Sequence, residues 1–272
     1  MTDDLKSLEP FMHALADAAG AAILPYFRTA LTADNKRSDG QFDPVTQGDR
    51  AGERAIRDLI TARYPTHGIV GEEFGVTHGT SPVSWIIDPV DGTRAFMSGV
   101  PTWGTLIGAI HHGTPVLGVM DQPYTGERFC GGPAGATLTT PAGPQTIACR
   151  ACETLSAAVM ASTDPRMFAT AAEQDAFQTL AETVKLLRYG GDCYNYAMVA
   201  LGQIDLVVEA RNQPYDILPL VPIIEAAGGV VSDWAGRPLR TGAAFTRSGG
   251  RTLAAGDARV HRAAVALLQG AA

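Results

Sequence analysis

Acidic residues recur where short apolar runs of this sequence end. Glu72 lies in "GIVGEE", Asp88 and Asp91 lie in "WIIDPVDGTRAFMSG", and Asp216 lies in "YDILPLV". An unpaired carboxylate at the end of a buried strand is costly. If these carboxylates converge in space, they form a site for a hard divalent cation such as Mg²⁺, because such ions prefer oxygen ligands.

The segment "DPVDGT" has the composition of a compact binding turn. Pro89 stiffens it, so that its two aspartates and the carbonyl of Val90 can point the same way. Gly92 and Thr93 then begin a predicted helix whose free backbone N–H groups suit a phosphate. The alternative is a structural turn, in which an aspartate caps the helix and glycine supplies a positive φ.

Composition limits the classes of partner. The chain has 272 residues, a formal net charge of -7 and a pI near 5.3, and it contains no run of Lys and Arg. These values disfavour a non-specific binder of nucleic acid or of anionic membranes. The first 25 residues match neither a signal peptide nor a membrane span, and no uncharged apolar run approaches the length of such a span. We expect a cytoplasmic protein.

The predicted elements change in pattern along the chain. Two amphipathic helices are predicted in "DLKSLEPFMHALADAAGAAILPYF" and "DRAGERAIRDLITARY", followed by short strands and glycine-turn hairpins. From about Leu155, strands and helices alternate. The sequence therefore predicts a mixed α+β and α/β class with two sub-domains, residues 1–150 and 151–272. Their boundary lies in the Pro-, Gly- and Thr-rich stretch 138–155.

Five motifs spread over most of the chain carry a resemblance to a known family. They are "VTQGD" (45–49), "GEE" (71–73), "DPVDGT" (88–93), "GGD" (190–192) and "YDILPLVPIIEAAGG" (215–229). With them the chain resembles the inositol monophosphatase family of magnesium-dependent phosphatases. The resemblance implies a layered α-β-α-β-α sandwich, a small phosphorylated substrate and a homodimer. We expect the segment 121–129 near the dimer interface, because its polar residues have no evident catalytic task.

The resemblance also implies a set of metal ligands. Glu72, Asp88 and the carbonyl of Val90 would hold one Mg²⁺. Asp88, Asp91 and Asp216 would hold a second, and a weaker third ion would share Glu72. Two or three ions per site would supply the charge stabilisation that phosphoryl transfer needs, without a covalent nucleophile.

Catalytic and phosphate-binding roles follow from the same likeness. Asp49 and Thr93 are expected to orient and help deprotonate the attacking water, and with Glu72 they form the predicted catalytic set. The N–H groups of Gly92 and Thr93 are expected to hold the phosphate.

The substrate expectation rests on a narrower likeness. The stretches "DGTRAFMSGVPTWGTLIG", "DQPYTGERF" and "RYGGDCYNYAMVALGQIDLVVEA" resemble the histidinol-phosphate phosphatases of the inositol monophosphatase type. Arg94, Ala95 and Tyr215 replace residues that inositol phosphatases usually carry. We expect hydrolysis of L-histidinol phosphate, a step of histidine biosynthesis. The alternatives are an inositol-1-monophosphatase, a 3'-phosphoadenosine 5'-phosphatase, and a non-catalytic metal- or phosphate-binding subunit.

Four residues of the second half are candidate substrate contacts. Asp192 and Glu209 match family positions that meet the non-phosphate part of the substrate, and Asn195 and Arg188 flank them. An acidic Asp192 suits a leaving group that carries an ammonium, since charge-assisted hydrogen bonds are the strong kind. The alternative is that Asp192 caps the helix "CYNYAMVALG".

Overall fold

A computed structural model describes residues 3–30, 34–35 and 44–272 of the chain. The α-helices, in chain order, are α1 (Asp3–Ile23), α2 (Gln47–Arg63), α3 (Thr93–Met97), α4 (Ala171–Thr183), α5 (Asp192–Ala200), α6 (Pro214–Ile217), α7 (Val221–Ala226), α8 (Ala243–Ser248) and α9 (Ala258–Leu268). A short antiparallel pair of strands, β1 (Asp34–Asn35) and β2 (Pro44–Val45), precedes α2.

Eight strands of the described chain form the larger sheet. They are β3 (Gly68–Gly71), β4 (Gly75–Thr77), β5 (Val83–Asp91), β6 (Gly104–His111), β7 (Thr114–Gln122), β8 (Glu127–Gly132), β9 (Gly135–Thr140) and β10 (Gly143–Thr146). Their spatial order is β10-β9-β8-β7-β6-β5-β3-β4. Only β3 and β5 pair in parallel among these strands, and the meander from β5 to β10 is antiparallel throughout.

The smaller sheet comprises five strands of the described residues. They are β11 (Val159–Ser162), β12 (Leu186–Tyr189), β13 (Leu206–Glu209), β14 (Val230–Ser232) and β15 (Thr252–Ala255), in the order β12-β11-β13-β15-β14. Strand β11 pairs in parallel with β12 and β13, whereas β15 is antiparallel to both of its neighbours. β12 therefore lies at one edge of this sheet.

Helices and sheets alternate in five layers. Helices α1 and α2 pack on one face of the larger sheet, and α6 and α7 pack on its other face. Helices α5 and α7 also contact the smaller sheet, whose far side is covered by α4 and α9. Three buried apolar clusters fill the spaces between these layers. The predicted layered fold is confirmed, while the division into sub-domains at residue 150 stays a prediction.

Over the part of the chain that the structure describes, no helix is both long enough and apolar enough to cross a bilayer.

Candidate active site

Three carboxylates meet where the middle of the larger sheet faces the helices of the central layer. One oxygen from each of Asp88, Asp91 and Asp216 lies within 4.8 Å of the others. Asp88 and Asp91 come from the end of β5, where the pairing with β6 shifts register between the two residues. Asp216 comes from the short helix α6, which packs against β5 and β6. The predicted convergence of these three residues is therefore present in the fold.

A backbone N–H group fixes the orientation of each of these carboxylates. The donors are Val90 N–H to Asp88 Oδ1 at 3.0 Å, Cys193 N–H to Asp91 Oδ2 at 2.7 Å, and Gln213 N–H to Asp216 Oδ2 at 2.7 Å. The three donors belong to β5, the first turn of α5 and the residue before α6. Strands and helices that are far apart in sequence thus hold the cluster in place before any ligand binds.

The pKa values of two carboxylates in the cluster are raised, as in a site that a bound cation would stabilise. Burial raises the pKa of Asp88 well above its ordinary value, and the charges of Glu72, Asp91 and Asp216 raise it further. Burial likewise raises the pKa of Asp91, followed by the charges of Asp216 and Asp192. The main contributions to both shifts include no Lys or Arg. A set of converging carboxylate oxygens fits a hard divalent ion such as Mg²⁺, which would offset their mutual repulsion.

Glu72 lies beside the three-carboxylate cluster and not within it. It directly follows β3, and its carboxyl group is close enough to that of Asp88 to share a hydrogen bond. The turn after it is held by Glu53 of α2, whose buried carboxylate accepts hydrogen bonds from Glu73 N–H at 2.6 Å and Phe74 N–H at 3.2 Å. Sequence reasoning missed Glu53, although its spacing to Arg57 on the helix is a recognisable ion-pair signal.

Asp49 and Thr93 face each other beside the turn that carries Asp88 and Asp91. Asp49 is the third residue of α2, and its Oδ2 accepts the N–H of Thr46 at 2.8 Å in a capping box. Thr93 Oγ1 lies 3.4 Å from Asp49 Oδ1 and 3.2 Å from the carbonyl oxygen of Val90. The hydroxyl therefore joins the first turn of α2 to the turn that carries the predicted metal ligands.

Gly92 begins helix α3 in a conformation that favours glycine. Its φ is 84°, and it is the N-cap of a helix whose first residue is Thr93. A Cβ at Gly92 would also lie 3.0 Å from the side chain of Asp192. A side chain here would strain the backbone and crowd the space between the start of α3 and Asp192 at the start of α5. Both predicted phosphate-binding residues therefore lie at the start of α3.

An inner cavity of about 250 Å³ opens directly onto these residues. It is lined by Asp91, Thr93 and Asp216 of the candidate site and also by Glu209. Glu209 is buried, and its carboxylate accepts hydrogen bonds from Thr163 N–H at 2.9 Å and Tyr196 Oη at 2.8 Å. Burial raises the pKa of Glu209, although these hydrogen bonds oppose the shift.

Asp192 lines the same cavity and is the first residue of α5. Its φ is 46°, an uncommon value for a residue with a side chain. The N-cap position is occupied by Gly191, and the carboxylate of Asp192 accepts no hydrogen bond from the residues that the structure describes. The helix-cap alternative is therefore wrong. Burial, followed by the charge of Glu209, raises the pKa of Asp192 to about 7.

Asn195 and Arg188 lie outside the inner cavity. Asn195 Nδ2 donates to the carbonyl oxygen of Gly190 at 3.0 Å, and a Cβ at Gly191 would lie only 2.3 Å from Asn195 Oδ1. Asn195 thus supports the "GGD" turn that presents Asp192. Arg188 is exposed on β12. Both residues line a second, outer cavity of about 790 Å³ beside the inner one.

Several residues of the inner cavity were not found from the sequence. Thr163, Tyr196 and Asn212 line it together with the predicted residues. Tyr196 Oη and Asn212 Nδ2 form a buried hydrogen-bonded group with Glu209 and Thr252. No local pattern marks these residues, because they converge only through the packing of α5 against β13 and β15.

The polar residues of segment 121–129 have tasks within the chain. Asp121 pairs with Arg128 at 2.7 Å, and Gln122 Nε2 donates to the carbonyl oxygen of Trp103 at 2.7 Å. Glu127 Oε2 accepts the hydroxyl of Tyr194 at 2.7 Å. These bonds show that the polar side chains stabilise the fold itself, and the place of the segment near a dimer interface stays a prediction.

Comparison with known proteins agrees with this geometry. The model of the "Inositol monophosphatase family" matches residues 4–270 of the chain. The chain belongs to this family. Members of the family are metal-dependent phosphatases, typically with Mg²⁺, and the all-oxygen cluster is consistent with that chemistry.

Similar proteins carry more than one functional name. The chain is 38% identical to "Bifunctional phosphatase IMPL2, chloroplastic" of Arabidopsis thaliana, over 94% of this chain and 73% of that protein. It is 35% identical to a histidinol-phosphatase of Chlorobaculum parvum, over 87% of this chain and 88% of that protein. A solved inositol monophosphatase from Zymomonas mobilis superposes with a TM-score of 0.82 at 37% identity, covering 94% of this chain and 95% of that one. The names of these relatives do not agree on one substrate.

Proposed function

We propose that this protein is a magnesium-dependent phosphomonoesterase that hydrolyses L-histidinol phosphate to L-histidinol and phosphate in histidine biosynthesis. The observation that carries the proposal is Asp192. Its carboxylate faces the inner cavity from a strained backbone position and has no hydrogen-bond donor among the described residues. Backbone strain retained at a cavity is typical of functional sites. An ammonium on the leaving group would donate a charge-assisted hydrogen bond to this carboxylate.

The names of the relatives do not identify the substrate of this protein. Identity to the Zymomonas inositol monophosphatase is 37%, close to the 35% identity to the Chlorobaculum histidinol-phosphatase. The inner cavity is lined by four carboxylates, those of Asp91, Asp192, Glu209 and Asp216, against the single guanidinium of Arg94 among the described lining residues. This acidic lining favours a cationic leaving group over a neutral polyol.

We assign the metal ligands as Asp88, Asp91 and Asp216, together with Glu72 and the carbonyl of Val90. Two or three Mg²⁺ ions, when bound, would neutralise phosphate charge, lower the pKa of the attacking water and stabilise the leaving oxygen. The protein's own contribution is to hold the three aspartates in fixed positions through hydrogen bonds from the backbone N–H groups of Val90, Cys193 and Gln213.

The residues around the cluster divide the remaining tasks. The Thr93 hydroxyl donates a hydrogen bond to Asp49, and the two together orient the attacking water towards phosphorus. The N–H groups of Gly92 and Thr93 bind phosphate oxygens at the start of α3. Asp192 and Glu209 hold the leaving group on the far side, so that the scissile bond lies between the two sets.

A phosphate-release assay tests this proposal. The protein is incubated with L-histidinol phosphate, inositol 1-phosphate or 3'-phosphoadenosine 5'-phosphate, each with Mg²⁺ or with excess EDTA. We expect release from histidinol phosphate in Mg²⁺ alone, with the highest kcat/KM of the three substrates. A higher kcat/KM on one of the other two would contradict histidinol phosphate as the substrate and identify that compound in its place. No release from any of them would favour the non-catalytic binding subunit.

The proposal extends to assembly and location. We propose a cytoplasmic homodimer, which the family resemblance suggests, acting on a small phosphorylated molecule without a nucleic-acid or membrane partner. Sedimentation equilibrium at micromolar concentration measures the assembly directly, and a single species with the 28.5 kDa mass of one chain would contradict it.

A further inference from the structure

The inner cavity is too small for the whole reaction complex. It measures about 250 Å³, whereas pockets that enclose small molecules usually span about 300 to 1,000 Å³. The same space must hold the metal ions, a phosphate group and the attacking water. The outer cavity beside it measures about 790 Å³, within the usual range for a ligand pocket. The leaving group therefore extends beyond the inner cavity into the larger one.

The two cavities share a neck. Arg94, Thr163 and Asp192 are the residues that line both of them. Arg94 Nη1 lies 3.7 Å from Asp164 Oδ2, so that this pair joins α3 to the segment after β11 across the neck. Thr163 Oγ1 is buried and has no hydrogen-bond partner in the described part of the chain. A molecule that passes through the neck would meet the carboxylate of Asp192 and the guanidinium of Arg94.

Beyond the neck the lining becomes apolar and aromatic. Val100, Leu186 and Tyr189 line the outer cavity and are 46%, 49% and 47% exposed. Met198 and Ile204 line it from the side of α5. Large apolar side chains that stay exposed around one concave surface mark a binding site more often than a chance arrangement.

We propose that the outer cavity is the subsite for an aromatic ring on the substrate's leaving group, which is the imidazole of histidinol phosphate. This inference rests on the proposed function. In that substrate the ammonium lies between the phosphate ester and the ring, as Asp192 lies between the metal cluster and the outer cavity. A planar ring is matched by the apolar and aromatic wall that Val100, Leu186 and Tyr189 form.

A substrate without the ring tests the subsite. The phosphate ester of 2-aminopropan-1-ol keeps the phosphate and the ammonium but replaces the imidazolyl group by hydrogen. We expect the wild-type protein to prefer histidinol phosphate by about tenfold or more in kcat/KM, since even one missing methylene in an apolar pocket costs about tenfold.

Two variants fill the outer cavity from exposed positions. Val100→Trp and Leu186→Trp should each lower that preference to less than about threefold, because the indole occupies the ring's place. Val76→Trp is the matched control. Val76 lies on β4 at the other edge of the larger sheet and is 58% exposed, so the same substitution there should leave the preference unchanged. Melting temperatures of the three variants check that each protein is folded.

The outcomes separate this inference from the proposed function. Equal hydrolysis of both substrates by the wild-type protein would overturn the ring subsite and leave the function standing. No hydrolysis of either substrate would overturn both. If the tryptophan variants keep the full preference but sediment as monomers from a dimeric parent, the cavity is an interface between copies of this chain and the subsite is wrong.

Discussion

Asp88 and Asp205 are buried to the same extent and yet have opposite electrostatic environments. Each is 2% exposed. Burial raises the pKa of Asp88, and neighbouring carboxylates raise it further. Burial also opposes ionisation of Asp205, but hydrogen bonds from Arg150 and from Val159 N–H outweigh it and lower the pKa of Asp205. The Arg150 Nε donates to Asp205 Oδ1 at 2.7 Å.

The difference shows how the chain separates structural from functional carboxylates. Glu173 repeats the pattern of Asp205, since hydrogen bonds from Thr170 and Ala169 N–H and from Arg251 outweigh its burial and lower its pKa. Where a buried carboxylate stabilises the fold, the sequence places an arginine against it. At the cluster the main charges that shift the pKa values of Asp88 and Asp91 are those of other carboxylates, and this environment fits a metal site.

The largest expected effect comes from neutralising one carboxylate of the cluster. Asp91→Asn and Asp216→Asn should each lower phosphate release at saturating Mg²⁺ by about a thousandfold or more, because charge stabilisation of the transition state is lost. The fold should remain, since asparagine keeps the size and an acceptor oxygen. Turnover assays and circular dichroism measure both. Turnover near the wild-type value in either variant would show that the two-metal assignment is wrong.

Asp192 should give a smaller and selective effect. Asp192→Ala removes a charge-assisted bond worth about 1.5 to 3 kcal/mol, so kcat/KM for histidinol phosphate should fall by one to two powers of ten. Glycerol 2-phosphate has no ammonium and should be hydrolysed about equally well by variant and parent. A parallel loss on both substrates would contradict the role of Asp192 as the ammonium acceptor.

Asp205→Asn makes the same change, aspartate to asparagine, at a carboxylate that stabilises the fold. We expect the free energy of unfolding to fall by about 2 kcal/mol, below the usual loss for a broken buried pair because Arg150 is 40% exposed and can be hydrated. Turnover of the folded protein should stay unchanged. Urea unfolding and phosphate release measure the two quantities. Lost turnover with unchanged stability would contradict the structural role of Asp205 and its difference from Asp91.

The pH dependence of the metal-free protein sharpens the same contrast. Carboxylates with raised pKa values bind more protons in the folded than in the unfolded state, so stability falls as pH rises. The window runs from the ordinary carboxylate range to about 7, the pKa of Asp192. In EDTA the melting temperature should therefore fall between about pH 5 and pH 7.5.

Added Mg²⁺ should reverse this trend, because it binds the deprotonated carboxylates and stabilises the folded state more strongly as pH rises. Differential scanning calorimetry at both pH values, with EDTA and with Mg²⁺, measures the effect. A metal-free melting temperature that increases over this range would contradict the raised pKa values.

The local sequence was sufficient to find the metal motif and most of the elements. "DPVDGT" lies at the end of β5 and the start of α3, as its residue types predict, because proline, glycine and carboxylates act on the backbone next to them. The helices α1 and α2 and the hairpins from β7 to β10 also follow from local periodicity and turn residues. The layered fold was predicted from the family resemblance that the five motifs carry.

The tertiary structure alone decided which side chains share a space. Asp216 reaches Asp91 only because α6 packs on β5, and Asp192 enters the cavity because the "GGD" turn and Asn195 hold it at a positive φ. The arginine beside Asp205, the hydroxyl of Thr163 at the neck and the outer cavity have no local signal. Distances between residues far apart in the chain depend on how whole layers pack, and a single sequence records that packing only indirectly.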